Sequence, residues 1–237
     1  MNIVITAGGT SEYIDKVRKI TNSGTGKLGS IIANTILQRN DIKNIFYICS
    51  ENAILPQESD KITVIKTTDT LSVKTAVEKV LTENNIDYFI HSMAISDYYV
   101  DYVTNFENIE TELKDTTNIN ETLNNPTIKI DNTKKISSNE ENLVIVLKKT
   151  PKIIGLIKKI SPQTHLIGFK LLENVSVEEL IDVARKLLVK NNCDYVVAND
   201  LKNIKNGEHK AFLLNDKEIK TLNGKENIAS AINEIIK

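Results

Sequence analysis

The chain has 237 residues, 30 Lys and Arg against 31 Asp and Glu, and 41% apolar residues, enough to bury the core of one large α/β domain or two small ones, and not the composition of a disordered chain. A formal charge of −1 leaves no basic surplus to neutralise a nucleic-acid backbone. Cys49 and Cys193 stand far apart, and His91, His165 and His209 are not paired at metal-ligand spacing, so neither a disulfide framework nor a zinc site is indicated and a reducing cytoplasm is the expected compartment.

The opening MNIVITAGG lacks the basic flank, long apolar stretch and cleavage site of a signal peptide, so the fold is expected to start with the chain. No run of about 18 apolar residues marks a membrane span. NIVITA predicts a strand buried on both faces, because its β-branched residues suit a sheet covered on both sides. Leu28, Ile31, Ile32, Thr35 and Ile36 recur at three- and four-residue steps and predict a helix over 27–38. Ile45–Cys49 repeats the strand pattern, Leu71–Leu81 the helix pattern, and Tyr88–Ile90 gives a third strand. Such alternation means parallel β/α units. Further buried strands are expected at Leu143–Leu147, Leu166–Phe169 and Tyr195–Val197, with helices at Pro151–Ile160 and Ser176–Lys190, Pro151 suiting a first helical turn. Ala211–Leu214 and Ile219–Leu222 flank a hairpin turn at Asn215-Asp216, and Ile228–Ile236 predicts a closing amphipathic helix. The last strands are expected to be antiparallel.

One stretch breaks this rhythm. From about Asp101 to Thr133 the sequence is rich in Asn, Thr and Glu and poor in core periodicity, which reads as a lid, an interaction arm or a surface insertion. The chain is therefore expected to be a single domain over 1–237 with a flap or dimerisation excursion at about 101–140.

Gly24-Thr25-Gly26-Lys27-Leu28-Gly29 spells G-x-G-x-x-G, but a dinucleotide fingerprint places those glycines directly after the first strand. Here Gly8-Gly9-Thr10 follows the strand, and the charged segment Glu12–Arg18 intervenes. No Tyr is followed four residues on by Lys, and no G-x-x-x-x-G-K-[ST] occurs. Both glycine turns still offer backbone N–H groups suited to phosphate or carboxylate.

Read together, ITAGGTSEYIDKVRKITNSGTGKLG, HSMAISDYY, KKISS with LVIVLKKTPKII, and IGFKLLE with ARKLLVKNNCDYVVANDL resemble, in order, the motif blocks of phosphopantothenoylcysteine synthetase, over nearly the whole chain. The resemblance implies a Rossmann-like α/β fold: a mostly parallel, doubly wound sheet with an added C-terminal hairpin and a long polar flap. It implies the stand-alone synthetase, without a decarboxylase domain in front. The implied reaction joins 4′-phosphopantothenate to L-cysteine in coenzyme A biosynthesis, through an acyl-nucleotide made from CTP or ATP with Mg²⁺ and pyrophosphate release. A homodimer is implied, with no nucleic-acid or membrane partner.

Carried over residue by residue, the resemblance makes Asn22 the asparagine that turns over the acyl-nucleotide, Arg18 a carboxylate or phosphate anchor, and Lys135 the cation that holds the nucleotide. Gly24 and Gly26 join Arg18 and Asn22 at the substrate. Gly8, Gly9, Met93, Ala94, Ile95 and Asp97 would bind the nucleotide, Asp97 also being a candidate to help hold Mg²⁺. Pro151, Lys152, Ile153 and Ile154 would receive the nucleotide, Phe169 would pack beside it, and Lys186 and Lys190 would supply distal cations. Gly24 replaces a Ser of many relatives, and Ser137-Ser138 replace lysines of some bacterial ones, so the choice between CTP and ATP stays open. Two other readings are a nucleotide-binding regulatory module without chemistry and an NAD(P)-dependent reductase.

Overall fold

The computed structural model describes residues 1–114, 118–205 and 209–237; residues 115–117 of the expected excursion therefore lie outside the described residues. Among the described residues the strands are β1 (Asn2–Ala7), β2 (Ser11–Tyr13), β3 (Lys19–Thr21), β4 (Asn44–Ser50), β5 (Ile62–Thr67), β6 (Tyr88–His91), β7 (Tyr98–Asn105), β8 (Leu143–Lys149), β9 (His165–Leu172), β10 (Tyr195–Asp200), β11 (Lys210–Leu214) and β12 (Ile219–Asn223). The helices are α1 (Lys27–Ile36), α2 (Thr70–Glu83), α3 (Phe106–Leu113), α4 (Ile119–Asn124), α5 (Ile154–Ile160), α6 (Val177–Lys190), α7 (Leu201–Lys205) and α8 (Lys225–Ile235).

Contacts divide these elements into two units, one of Met1–Thr10, Ser23–Ile95 and Lys152–Lys237, the other of Ser11–Asn22 and Ser96–Pro151. Where the sequence reads as one domain with an excursion, the second unit takes in the whole charged segment Glu12–Arg18 near the N-terminus as well.

The first unit is an eight-stranded sheet in the order β12-β11-β10-β9-β6-β1-β4-β5. Pairings from β5 to β10 are parallel, and β10–β11 and β11–β12 are antiparallel, which is the doubly wound sheet with a C-terminal hairpin. The two-residue alternation along β1 explains the double covering: Ile3 and Ile5 join Ile32 and Ile36 of α1 and Ile228 and Ile232 of α8 in one core layer. Val4 faces the other layer, with Val73 and Val77 of α2, Ile157 of α5 and Leu180 of α6. Asp69 caps α2 by accepting from Ser72 N at 2.7 Å, and Ser176 caps α6 by accepting from Glu179 N at 3.1 Å. Sheet order reverses between β1, whose chain continues towards β4, and β6, whose chain continues towards β9. Open α/β sheets place ligands at the carboxyl ends of such strands.

Several elements depart from expectation. Leu143–Leu147 reads as a buried strand; the strand exists as β8, but it pairs antiparallel with β7 in a separate two-stranded ribbon and is mostly half-buried. Pro151 precedes α5, which begins at Ile154, rather than filling its first turn. In the second unit the charged segment forms a short antiparallel pair, β2 with β3, which periodicity did not reveal.

Candidate functional site

Within the first unit, the loops after β1 and β6 are stitched to each other: Ala94 N donates to Gly8 O at 2.9 Å, Thr10 N donates to Ala94 O at 3.1 Å, and Gly9 bridges Ala94. Gly8 holds φ 92, and a Cβ there would meet Ser50 Oγ at 2.1 Å, so only glycine fits. A Cβ on Gly24 would lie 2.4 Å from Gly8 O, which shows how closely the second glycine turn approaches the first. Gly26, at φ 74, is the N-cap of α1 and brings no side chain to its first amides. Tyr47, whose hydroxyl donates to Gly26 O at 3.4 Å and Ile54 O at 3.0 Å, holds the cap. Lys27 N donates to Thr25 Oγ1 at 3.4 Å, and the turn presents the positive dipole end of α1.

These turns line a cleft of about 480 Å³ formed by Gly8, Ser23–Gly29, Ser92–Ala94, Phe169–Leu171, Asn199, Leu201, Ile204, His209 and Lys225. Its charged members are Lys27, Lys170 and Lys225; the described lining contains no Asp or Glu. The cleft therefore suits an anion, and it supplies no carboxylate for a divalent cation, whose oxygen ligands would have to come from the anion itself. Phe169, Met93, Leu171, Leu201 and Ile204 make the rest of the wall apolar. Asn199, only 5% exposed and next to last in β10, has Nδ2 buried and without a hydrogen-bond partner among the described residues, and His209 Nε2 is in the same condition. A buried donor is normally satisfied, so two orphaned nitrogens on residues lining one cleft point to a ligand with polar atoms.

Of the residues named from sequence, the cleft gathers Gly8, Gly24, Gly26, Met93, Ala94 and Phe169, with Gly9 beside them. It does not gather the others of the first unit. Ile95 packs in the core layer beneath α2, and Ile153 is 2% exposed in that same layer. Ile154 packs against Gly168, and Lys152 is exposed. Lys186 and Lys190 are exposed on α6, which runs from the carboxyl end of β9 back to the start of β10. A helix returning that way carries its last turn to the sheet edge opposite the cleft. Ser92, Lys170, Asn199, His209 and Lys225 were missed. Asn199 lay in the quoted VVAND block, but that its amide lacks a partner is a tertiary fact.

In the second unit a different cluster forms. Asp15, 2% exposed, accepts from Val17 N at 2.8 Å, Arg18 N at 2.7 Å, Arg18 Nε at 2.9 Å and Arg18 Nη2 at 2.6 Å. It also accepts from Ile136 N at 3.0 Å, while Arg18 Nη2 donates to Ile136 O at 3.2 Å. The Asp-x-Val-Arg turn is thus tied to the KKISS segment next to the exposed Lys135. The Arg18 guanidinium holds the Asp15 carboxyl well below the usual carboxylate range, helped by the backbone donors against its burial. Asn22 follows β3, half-buried and at no helix end. Asp97, exposed and at no helix end either, accepts from Thr150 N through its carbonyl at 3.0 Å, beside Pro151.

A family model described as the DNA/pantothenate metabolism flavoprotein C-terminal domain matches residues 1–125 and 125–237. The crystal structure of the DNA/pantothenate metabolism flavoprotein from Streptococcus pneumoniae aligns with a TM-score of 0.85 and 38% identity, covering 100% of this chain and 98% of that one. The coenzyme A biosynthesis bifunctional protein CoaBC of Thermococcus kodakarensis is 30% identical over 212 residues, which are 90% of this chain and 44% of that protein. A Cab2 mutant in complex with phosphopantothenate-cysteine shares the fold at a TM-score of 0.66 and 15% identity, with 98% of this chain and 86% of that one covered. The chain spans about half the length of the curated relatives it matches.

Proposed function

Because the chain belongs to the DNA/pantothenate metabolism flavoprotein C-terminal domain family, we propose that it is a phosphopantothenate–cysteine ligase of coenzyme A biosynthesis, acting in the cytoplasm as a homodimer. The observation that carries this reading is that the family match runs through both halves of the chain and takes in the glycine turns lining the cleft. In the proposed reaction a carboxylate oxygen of 4′-phosphopantothenate attacks the α-phosphorus of CTP or ATP, and the bond to pyrophosphate breaks. The cysteine amine then attacks the acyl carbon, the nucleoside monophosphate leaves, and the amine gives up a proton.

Attack of one anion on another needs positive charge and donors fixed in advance. The α1 N-terminus and Lys27 suit the phosphates, and Phe169 and Asn199 suit the nucleoside. Mg²⁺, when bound through the triphosphate oxygens, neutralises part of their charge. Lys135 would stabilise charge on the reacting phosphate and Arg18 would anchor a substrate anion. Asn22 would orient the acyl oxygen by donating from its amide, which has no proton to take. Asp97 would serve the nucleoside or the magnesium.

Pyrophosphate release measured with 4′-phosphopantothenate and each of four nucleoside triphosphates, with and without cysteine, tests the reaction. The expected result is turnover with CTP or ATP that cysteine makes continuous. Asn22→Asp should release one pyrophosphate per site and accumulate the acyl-nucleotide. No pyrophosphate with any nucleotide would sink the reading.

A further inference from the structure

The buried side-chain atoms without a hydrogen-bond partner among the described residues are Asn199 Nδ2, His209 Nε2 and Asn233 Oδ1. Two of these three belong to residues that line one cleft, and Asn233 does not line it. We propose that His209 is a specificity residue of that cleft, reading the hydrogen-bonding edge of the nucleotide base beside the Asn199 amide. This rests on the nucleotide reading given above and goes further by naming what meets the base.

The lining divides by chemistry. Segment Gly24–Gly29 carries the helix N-terminus and Lys27, which suit phosphate. The ends of β9 and β10 with α7 carry Phe169, Leu201 and Ile204, apolar surfaces for the faces of a planar heterocycle, with the polar side chains of Asn199 and His209 in the same lining. That is the composition of a site where shape holds a ring and a few polar groups select it.

His209 is also held in place. Its φ of 42 lies in the left-handed region, which few residues other than glycine adopt. Gly224 N donates to His209 O at 3.2 Å, and the next residue, Lys210, opens the β11–β12 pairing opposite Asn223. Burial and the Lys225 ammonium favour the neutral imidazole against the opposing pull of Glu226. A neutral ring offers one donor and one acceptor, as a base edge requires.

The full-length chain is titrated calorimetrically with CTP, ATP and inorganic tripolyphosphate, as wild type and as His209→Asn, a shorter amide that the left-handed backbone accommodates. The substitution is expected to weaken the preferred nucleotide about tenfold and to leave tripolyphosphate within about twofold. Independently of folding in the variant, ¹H–¹⁵N spectra of the wild-type imidazoles, three in all, should show the His209 resonances shifting with nucleotide and not with tripolyphosphate. Unchanged nucleotide affinity in the variant, a His209 resonance unmoved at saturation, or equal responses to nucleotide and tripolyphosphate overturn the assignment. Should the wild type bind no nucleoside triphosphate, it is the nucleotide reading itself that fails.

Discussion

Asp15 and His91 are buried titratable groups, and they act on stability in different pH windows. His91 is 7% exposed, its Nδ1 lies 2.9 Å from Thr6 Oγ1, and burial pulls its pKa down from 6.5 to about 4. The folded state keeps the ring neutral while the unfolded chain takes up a proton first, so the stabilisation is complete above 6.5 and is lost as pH falls towards 4, by about 3 kcal/mol at most. In His91→Gln, thermal midpoints measured between these limits should fall less steeply than in the wild type. Asp15 has its pKa lowered, so its contribution stands above the ordinary 3.8 and is lost only in more acid solution. Asp15→Asn should lower the midpoint at pH 7 and slow turnover, because Arg18 and Ile136 lose the acceptor that joins them. At this scale the sequence revealed the glycines and the Asp-x-Val-Arg motif, since backbone and charge requirements leave a local mark. It did not reveal Asn199 or His209, because being left without a partner depends on what the rest of the chain fails to bring.

Among the helices, α1 answers to two masters, packing and ligand approach. A Cβ on Gly29 would meet Ala7 Cβ at 2.6 Å, so Gly29→Ala must lift the helix from β1. We expect a loss of about 1–3 kcal/mol in urea unfolding, together with weaker nucleotide binding. Gly155→Ala in α5 is the counterpart: its nearest neighbour would be Asn191 Oδ1 at 3.5 Å, and the change should stabilise by about 0.5–1 kcal/mol. Strands buried on both faces and helices with a clean apolar stripe were legible because burial writes its period into sequence. β5 was not: at the sheet edge, Thr63, Val64 and Lys66 are all exposed, and no two-residue alternation survives. β7, the partner of the legible β8, was hidden for a related reason, being only partly covered.

At the scale of the whole chain, a ligand that binds the folded first unit should raise its stability by mass action, about 2.7 kcal/mol at a concentration one hundred times Kd. Calorimetric scans with nucleotide are expected to move the transition of that unit upwards in proportion to the logarithm of concentration. The ribbon bears on how this unit assembles at all. The parallel neighbours β6 and β9 belong to distant parts of the chain; beside them Thr164 Oγ1 donates to Ile86 O across 78 residues. In the ribbon, Tyr98 stands opposite Lys149, and Thr150 N donates to Asp97 O at 3.0 Å. Once this clasp forms, the slack left to gather is about threefold shorter, which is worth about 1 kcal/mol of closure entropy. Weakening it with Val103→Ala, at a fully buried position, should slow refolding more than it speeds unfolding in stopped-flow chevrons. The ribbon that brackets the most polar stretch of the sequence would then be the buckle that lets the central strands find each other.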